Sequence, residues 1–548
     1  MRPSRQETRL PEPGEDGAVP NRVRLSKTTE EPGLAAAPPA GGMSAGERPW
    51  PPRYWWLKRL LVAAAVLMLA LAGLHRWWSH EAQRRFGSLL EQYRAAGQPL
   101  TIEDFDFPPV PDDENAAHDL MLAAASLSPC SLNYPRLIAL LNRPDLAKDS
   151  FGAVGQWING SAPALALVRR ARGKPDVDWG VRLTSPVVNM VFPQLSQQRT
   201  LAQFLNAAAL YEHFDRKDDA AALELVHDTL VVHRSLIRWR GMVVVHVTGL
   251  AVAGNLCDLE IGHIAPTLRI GSTGTAARPA QVGALIADLL EDRFVRESWR
   301  WAVYAERAAL LDAIGGTGAG TLGVPASAGN LPATRRLLGP ATLLGIPPAL
   351  EYVTGWALVA DCPDFPAAQA SCKPPPVRET GFQRNVFFLA DILLPAMHRA
   401  AELTFRVLAK RRLAATALAI RWYETDHGAP PATLEALVPD YLPAVPADPF
   451  ASGGRPIGYR PEAPRPLLYS FGANMRDDGG TPAYGNSGNV DERDGDLVFF
   501  LTAPEPPPRE EAGKPASLPV QAVEHDGQIV HDPAQQRRAE HRGEDRHP

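Results

Sequence analysis

The feature that most constrains this chain is an apolar run bracketed by tryptophan pairs, WWLKRLLVAAAVLMLALAGLHRWW, from Trp55 to Trp78. Leu60 to Leu74 carries no charge, and Lys58 and Arg59 can extend their methylene stems back toward a headgroup layer. At about 1.5 Å per helical residue, Trp55 to Trp78 is long enough to cross a hydrocarbon core of roughly 30 Å. The four tryptophans suit the two interfaces. The expectation is one transmembrane helix over 54–78, in contact with membrane lipid. Ala70-Leu71-Ala72 also fits a signal-peptide cleavage site, but the tail before it is far too long for an ordinary n-region. Arg48, Arg53, Lys58 and Arg59 precede the run, and Arg76, Arg84, Arg85 and Arg94 follow it. Flanking charge therefore sets no orientation.

The whole chain has 548 residues and a formal net charge of −5. Such a balance gives no basic field for nucleic acid, and none is expected as a partner. Residues 1–50 and 503–548 are rich in proline and charge and poor in large apolar side chains, so both read as disordered tails. Residues 79–403 read as a helical domain with a flexible glycine- and proline-rich loop near 315–347. Within it, a helix should end near Gly97, and Asp112 or Asp113 should cap a helix starting near Glu114. The stretch near 200–240 reads as an αα-hairpin joined at "DRKDD". Ala208, Tyr211 and Ala220 make it similar to a tetratricopeptide hairpin. Glu224 and His227 depart from that pattern, and no second copy lies about 34 residues away. Pro395 is expected to kink or divide a later helix.

Few residues form recognisable chemistry. The G-x-S-x-G at Gly42–Gly46 lacks a strand–turn–helix setting, and the G-x-G-x-x-G at Gly318–Gly323 follows no strand. His227 and His233 do not share a helix face with the spacing of metal ligands, and with His246 they read as packed or surface side chains. Glu297, Arg300, Glu306 and Arg307 could form inter-helical ion pairs or, in a cleft, a hydrolase site. Cys362 and Cys372 flank a short loop where a disulfide is plausible, and two free thiols are the alternative. Cys130 and Cys257 are isolated.

The C-terminal region carries a more specific pattern. An amphipathic helix with Leu413, Thr416, Ile420 and Tyr423 on one face should end at Gly428. "IGYR", "PLLYSFG" and "DLVFFL" read as three strands packed on that helix. Asp477, Asp478, Asp494 and Asp496 stand between the last two strands, either solvated or around a cation. Tyr423, Asp426, Gly428, Pro430, Leu434, Leu437, Tyr441, Leu442, Pro443, Pro446, Asp448 and Pro449, followed by Tyr459, Tyr469, Ser470, Gly472 and Ala473, form an ordered series. On these residues, 404–502 resembles the globular head of the major pseudopilin of type II secretion systems. The resemblance implies a head domain of one helix on a three-stranded antiparallel sheet. It also implies a calcium site in the acidic loop, here drawing on Asp477, Asp478, Asp494 and Asp496. Asn474 and Met475 depart from the family pattern, as does the insertion after Gly480; no glycine-phenylalanine motif precedes the apolar run, and Leu60 to Leu74 holds no glutamate.

The resulting expectation is a mainly α protein with a single N-terminal membrane helix, a large helical domain and a small α+β head. Its function would be that of an extracytoplasmic structural or interaction protein in a bacterial inner membrane, with most of the chain periplasmic and envelope proteins as partners. An envelope hydrolase with its site in the helical domain and a calcium-dependent binding module are the alternatives.

Overall fold

The computed structural model describes residues 54–145, 147–315, 349–372, 381–484, 490–491 and 494–503. Both expected tails, most of the 315–347 loop and the two glycine motifs lie outside them. The chain divides into two units, residues 1–70 and 71–548. Helix α1 runs from Trp55 to Ala95. In the first unit its large side chains, among them Trp56, Leu61, Val62, Leu67 and Leu69, are exposed, and the Arg59 guanidinium lies 3.9 Å over the Trp55 ring. In the second unit Leu71, Leu74 and Trp77 are exposed, whereas Leu89 and Tyr93 are buried against Leu100, Leu310 and Leu350. The helix stops two residues before Gly97, whose φ of +67° turns the chain out, close to the expected end.

The second unit is mainly helical. Helix α2 (Ala116–Ala125) is capped by Asn115, not by Asp112 or Asp113. The Asn115 carboxamide accepts from the amides of Ala117 and Asp178 and donates to the Asp178 carbonyl, so a distant segment selects the cap. Helices α3 (Tyr134–Asn142), α4 (Phe151–Gly160) and α5 (Ala162–Arg172) follow. The expected hairpin is α6 (Pro193–Tyr211) against α7 (Asp219–Ile237), joined through a π turn at Glu212–Arg216. Helix α7 is buried along most of its length, with α5, α6, α8 (Val243–Asn255) and α9 (Pro279–Leu290) around it.

A second π turn, Leu256–Ile261, and a short 3-10 turn carry α8 on to Thr267. Val243–Thr267 is long and apolar enough to cross a membrane, but 56% of its most apolar window is buried, so it serves as a core helix. The expected helical block near 279–314 breaks at Glu291–Asp292 into α9 and α10 (Arg293–Gly315). Trp299 of α10 is buried and donates its indole N–H to the Trp356 carbonyl at 2.7 Å.

After α11 (Phe365–Ser371), helix α12 runs from Gly381 to His427. It passes through position 395 undivided, so of the kink or break expected at Pro395 the break does not occur. The buried side that follows, Met397, Ala400, Ala401 and Phe405, favours continued helix over the loss of one backbone hydrogen bond. The expected domain boundary at 403/404 falls inside this helix. One buried core extends from Ala116 to Phe499.

Leu413, Thr416 and Ile420 of α12 are buried, and Gly428 ends it with a φ of +76°. Strands β1 (Gly458–Arg460), β2 (Leu467–Ser470) and β5 (Leu497–Phe500) form the expected antiparallel sheet, in the order β1-β2-β5, on the α12 face. Leu468 pairs with Phe499, and both are buried. A two-stranded ribbon, β3 (Ala483–Tyr484) with β4 (Val490–Asp491), occupies the insertion and was not expected. Asp448 locks the head together. Its buried carboxylate accepts from the Ser470 hydroxyl at 2.6 Å and from the amides of Phe450 and Phe471, both at 2.9 Å.

Candidate functional site

A compact polar cluster sits where the α6–α7 turn meets the end of the α8 extension. The first π turn inserts an extra residue, and Lys217, at φ +56°, closes it. His213 is thereby held beside the first residue of α7. His213 Nδ1 lies 2.5 Å from Asp219 Oδ1, and His213 Nε2 lies 2.8 Å from Thr267 Oγ1. The Arg269 side chain and its backbone amide both donate to Asp219 Oδ2, at 2.6 and 3.2 Å. His213 and Asp219 are buried, and Thr267 is exposed.

The chemistry of this arrangement follows from Asp219. Burial pushes its carboxyl upward, but the bonds to His213 and Arg269 outweigh it and leave the group below the ordinary carboxylate range. The N-terminus of α7 also favours negative charge at this position. An ionised carboxylate only accepts hydrogen bonds, so His213 Nδ1 must donate to it. In the neutral imidazole His213 Nε2 is then the acceptor and the Thr267 hydroxyl the donor. Nothing in the sequence singles out these residues, because Thr267 lies 54 positions from His213. The "DRKDD" segment marks only the turn.

The four charged residues of α10 do not converge. Arg300 pairs with Asp361 at the surface at 2.6 Å. Glu306 accepts from the Val243 amide, and burial raises its carboxyl. Arg307 is fully buried and donates to Gln98, Thr354 and the Pro99 carbonyl, with the rings of Tyr93 and Tyr304 against its guanidinium. Arg300 and Tyr304 line a cleft with Tyr93, Glu351 and Asp361, whereas Glu297 does not. The expected hydrolase site on Glu297 and Arg300 is therefore not assembled.

The acidic loop of the head is closed by its own donors. Asp477 pairs with Arg455 at 2.9 Å and accepts from the Tyr469 hydroxyl at 3.2 Å. Asn474 Nδ2 donates to both Asp478 Oδ2 and the Asp494 carbonyl, each at 2.8 Å. Asp496 is buried and accepts from the amides of Gly480 at 2.6 Å and Asp478 at 3.4 Å. Burial, together with the neighbouring Asp478 charge, raises the Asp496 carboxyl even so. A calcium ion needs converging oxygens with free lone pairs. Here a carboxamide N–H₂ stands between Asp478 and Asp494, an arginine holds Asp477, and backbone N–H groups face Asp496. As placed, the four residues do not converge on one cation. Among the described residues no group of three or more His, Cys, Asp and Glu is placed to hold a metal ion.

The remaining expected residues are structural. His227 contacts the Gln281 carbonyl and Asp288. His233 contacts the Gly249 carbonyl, and His246 bridges Ser298 and Thr404. Burial lowers the His233 and His246 imidazoles to about 3, so both are neutral packing groups. Cys362 and Cys372 are free thiols here, not the plausible disulfide. The Cys362 thiol lies 3.4 Å from the Leu358 carbonyl and that of Cys372 lies 3.7 Å from the Gly355 carbonyl.

No protein-family model, curated protein or solved structure matches the chain.

Proposed function

We propose that this chain is a membrane-anchored structural and interaction protein of the bacterial cell envelope. Helix α1 holds it in the inner membrane, and the helical body and head lie in the periplasm. The observation that carries the reading is the apolar part of α1. Its most apolar window has a mean hydropathy of 2.1, and none of it is buried. Each large apolar side chain left in water forgoes about 1.5–3 kcal/mol, and lipid removes that cost along the whole run. The other apolar helix, Val243–Thr267, has 56% of its most apolar window buried within the protein.

The periplasmic side and the choice of partner rest on the pseudopilin resemblance of 404–502. One helix packed on the β1-β2-β5 sheet supports it, as does the Tyr441 hydroxyl held 2.8 Å from Asp426, both residues of the quoted series. Partners are then subunits of a secretion or pilus-like assembly.

Protease treatment of intact spheroplasts tests the location. The reading expects the head epitope to be digested from outside while a cytoplasmic control survives. Full protection of the head, with digestion only after lysis, contradicts it.

A further inference from the structure

We propose that Thr267 is the nucleophile of a threonine–histidine–aspartate relay that hydrolyses carboxylic esters with a short acyl group. This goes beyond the scaffold reading and does not depend on the membrane anchor.

Three observations carry it. Asp219 can only accept, so His213 Nδ1 donates to it, and in the neutral imidazole the Thr267 hydroxyl donates to Nε2. That is the order in which a base withdraws a proton from a nucleophile. Burial is also graded in the useful direction, with base and carboxylate shielded and the hydroxyl open to solvent. Finally, the two residues before Thr267, Ala265 and Pro266, line a cavity of about 90 Å³ with Ile420, Phe499 and Leu501, and with Arg421 and Glu424, which pair with each other at 2.7 Å. Its size suits a short acyl chain rather than a long one.

The reaction balances without a further reagent. Thr267 Oγ1 bonds to the ester carbonyl carbon as its proton passes to His213 Nε2. The ester C–O bond then breaks, and the departing alcohol takes that proton. Water next gives a proton to Nε2 and its oxygen to the acyl carbon. Thr267 leaves as the hydroxyl, recovering the proton, and the carboxylic acid is released. Arg269 does not touch substrate; it positions Asp219.

The test uses the full-length protein purified in detergent, with p-nitrophenyl butyrate as substrate and an alkyl fluorophosphonate as covalent probe. The proposal expects ester hydrolysis above buffer and phosphonylation of Thr267, located by peptide mass spectrometry. Thr267→Val keeps the shape and removes the hydroxyl; activity should fall about 100-fold or more and the label should vanish. Thr267→Ser should keep both. Thr267→Val leaves the buried His213 Nε2 without its partner and should unfold a few degrees lower, and Thr267→Ser at the wild-type temperature; a single cooperative transition in both separates lost chemistry from lost fold. An unlabelled Thr267 in the wild type, or equal hydrolysis by wild type and Thr267→Val, overturns the proposal and leaves the cluster as a clasp between two turns.

Discussion

The helical body and the small head both bury carboxylates, but they satisfy them with different donors. In the body, Asp119 of α2 is held by Arg170 at 2.6 Å and Lys174 at 2.9 Å. Asp228 of α7 is held by Arg172, and Asp219 by His213 and Arg269. In the head, Asp448 and Asp496 are served by backbone amides and one hydroxyl. Helix geometry explains the difference. Interior amides of a helix are consumed by its own ladder, so a carboxylate buried among helices draws on side chains or a helix end: cations at Asp119, Asp219 and Asp228, the Thr229 hydroxyl at Glu260, and the Val243 amide at the start of α8 for Glu306. Short strands and turns leave amides free to do the same work. At its buried aspartates Asp119, Asp219 and Asp228 the body thus supplies a counter-charge, whereas at Asp448 and Asp496 the head supplies hydrogen bonds alone.

The charge states follow. Burial pushes Asp119 upward, but Arg170 and Lys174 outweigh it and leave the carboxyl lowered. Burial wins at Asp448, whose carboxyl is raised despite three hydrogen bonds. Asp228 is so deep in the body that burial prevails there as well.

The largest expected effect is from Asp119→Asn. It leaves Lys174, only 11% exposed, without a counter-charge and should cost about 3 kcal/mol in denaturant unfolding. Asp448→Asn keeps one acceptor oxygen where the backbone needs two and should cost about 1 kcal/mol. Equal losses in the two variants would erase the proposed distinction.

Acid titration sharpens it with opposite signs. The folded carboxyl of Asp119 is lowered, so its contribution is complete above the ordinary value of about 3.9. The penalty of Asp119→Asn should shrink as pH falls from there through the lowered value. The folded carboxyl of Asp448 is raised, so the folded protein gains stability as that group takes up its proton. The penalty of Asp448→Asn should therefore grow as pH falls from neutral through the raised value. Parallel slopes in the two unfolding series would break the comparison.

The smallest effect concerns calcium. Wild-type protein should unfold at one temperature in calcium and in chelator. Asn474→Asp, which replaces the bridging N–H₂ with a carboxylate, should make the midpoint calcium-dependent by a few degrees, on the order of 1 kcal/mol. A calcium-dependent midpoint in the wild type would show that the loop rearranges around the ion.

Elements with strong local signals were legible in the sequence. The apolar face of α12 ending at Gly428, the three strands of the head and the α6–α7 turn all rest on periodicity or on turn residues that act within a few positions. Features decided at long range were not. Asn115 displaces two aspartates as cap because Asp178 pairs with it from 63 positions away. Arg307 finds Gln98 across 209 positions, a partner that spacing along α10 cannot suggest. The acidic loop was legible as acidic, yet its fate turns on Asn474, whose amide reaches Asp494 only once β2 and β5 have paired. The His213–Thr267 contact has the same origin, in two turns that meet after the helices have packed.

The central claim is that α1 resides in lipid. Alkaline carbonate extraction of membranes from cells expressing the full-length chain tests it most directly. The account predicts that the protein stays in the pellet, and that Leu67→Arg with Leu69→Arg, each costing about 2.5–3.5 kcal/mol at the centre of a span, releases it. Recovery of the wild-type protein in the soluble fraction of a gentle lysate, before any carbonate or detergent, would contradict the account.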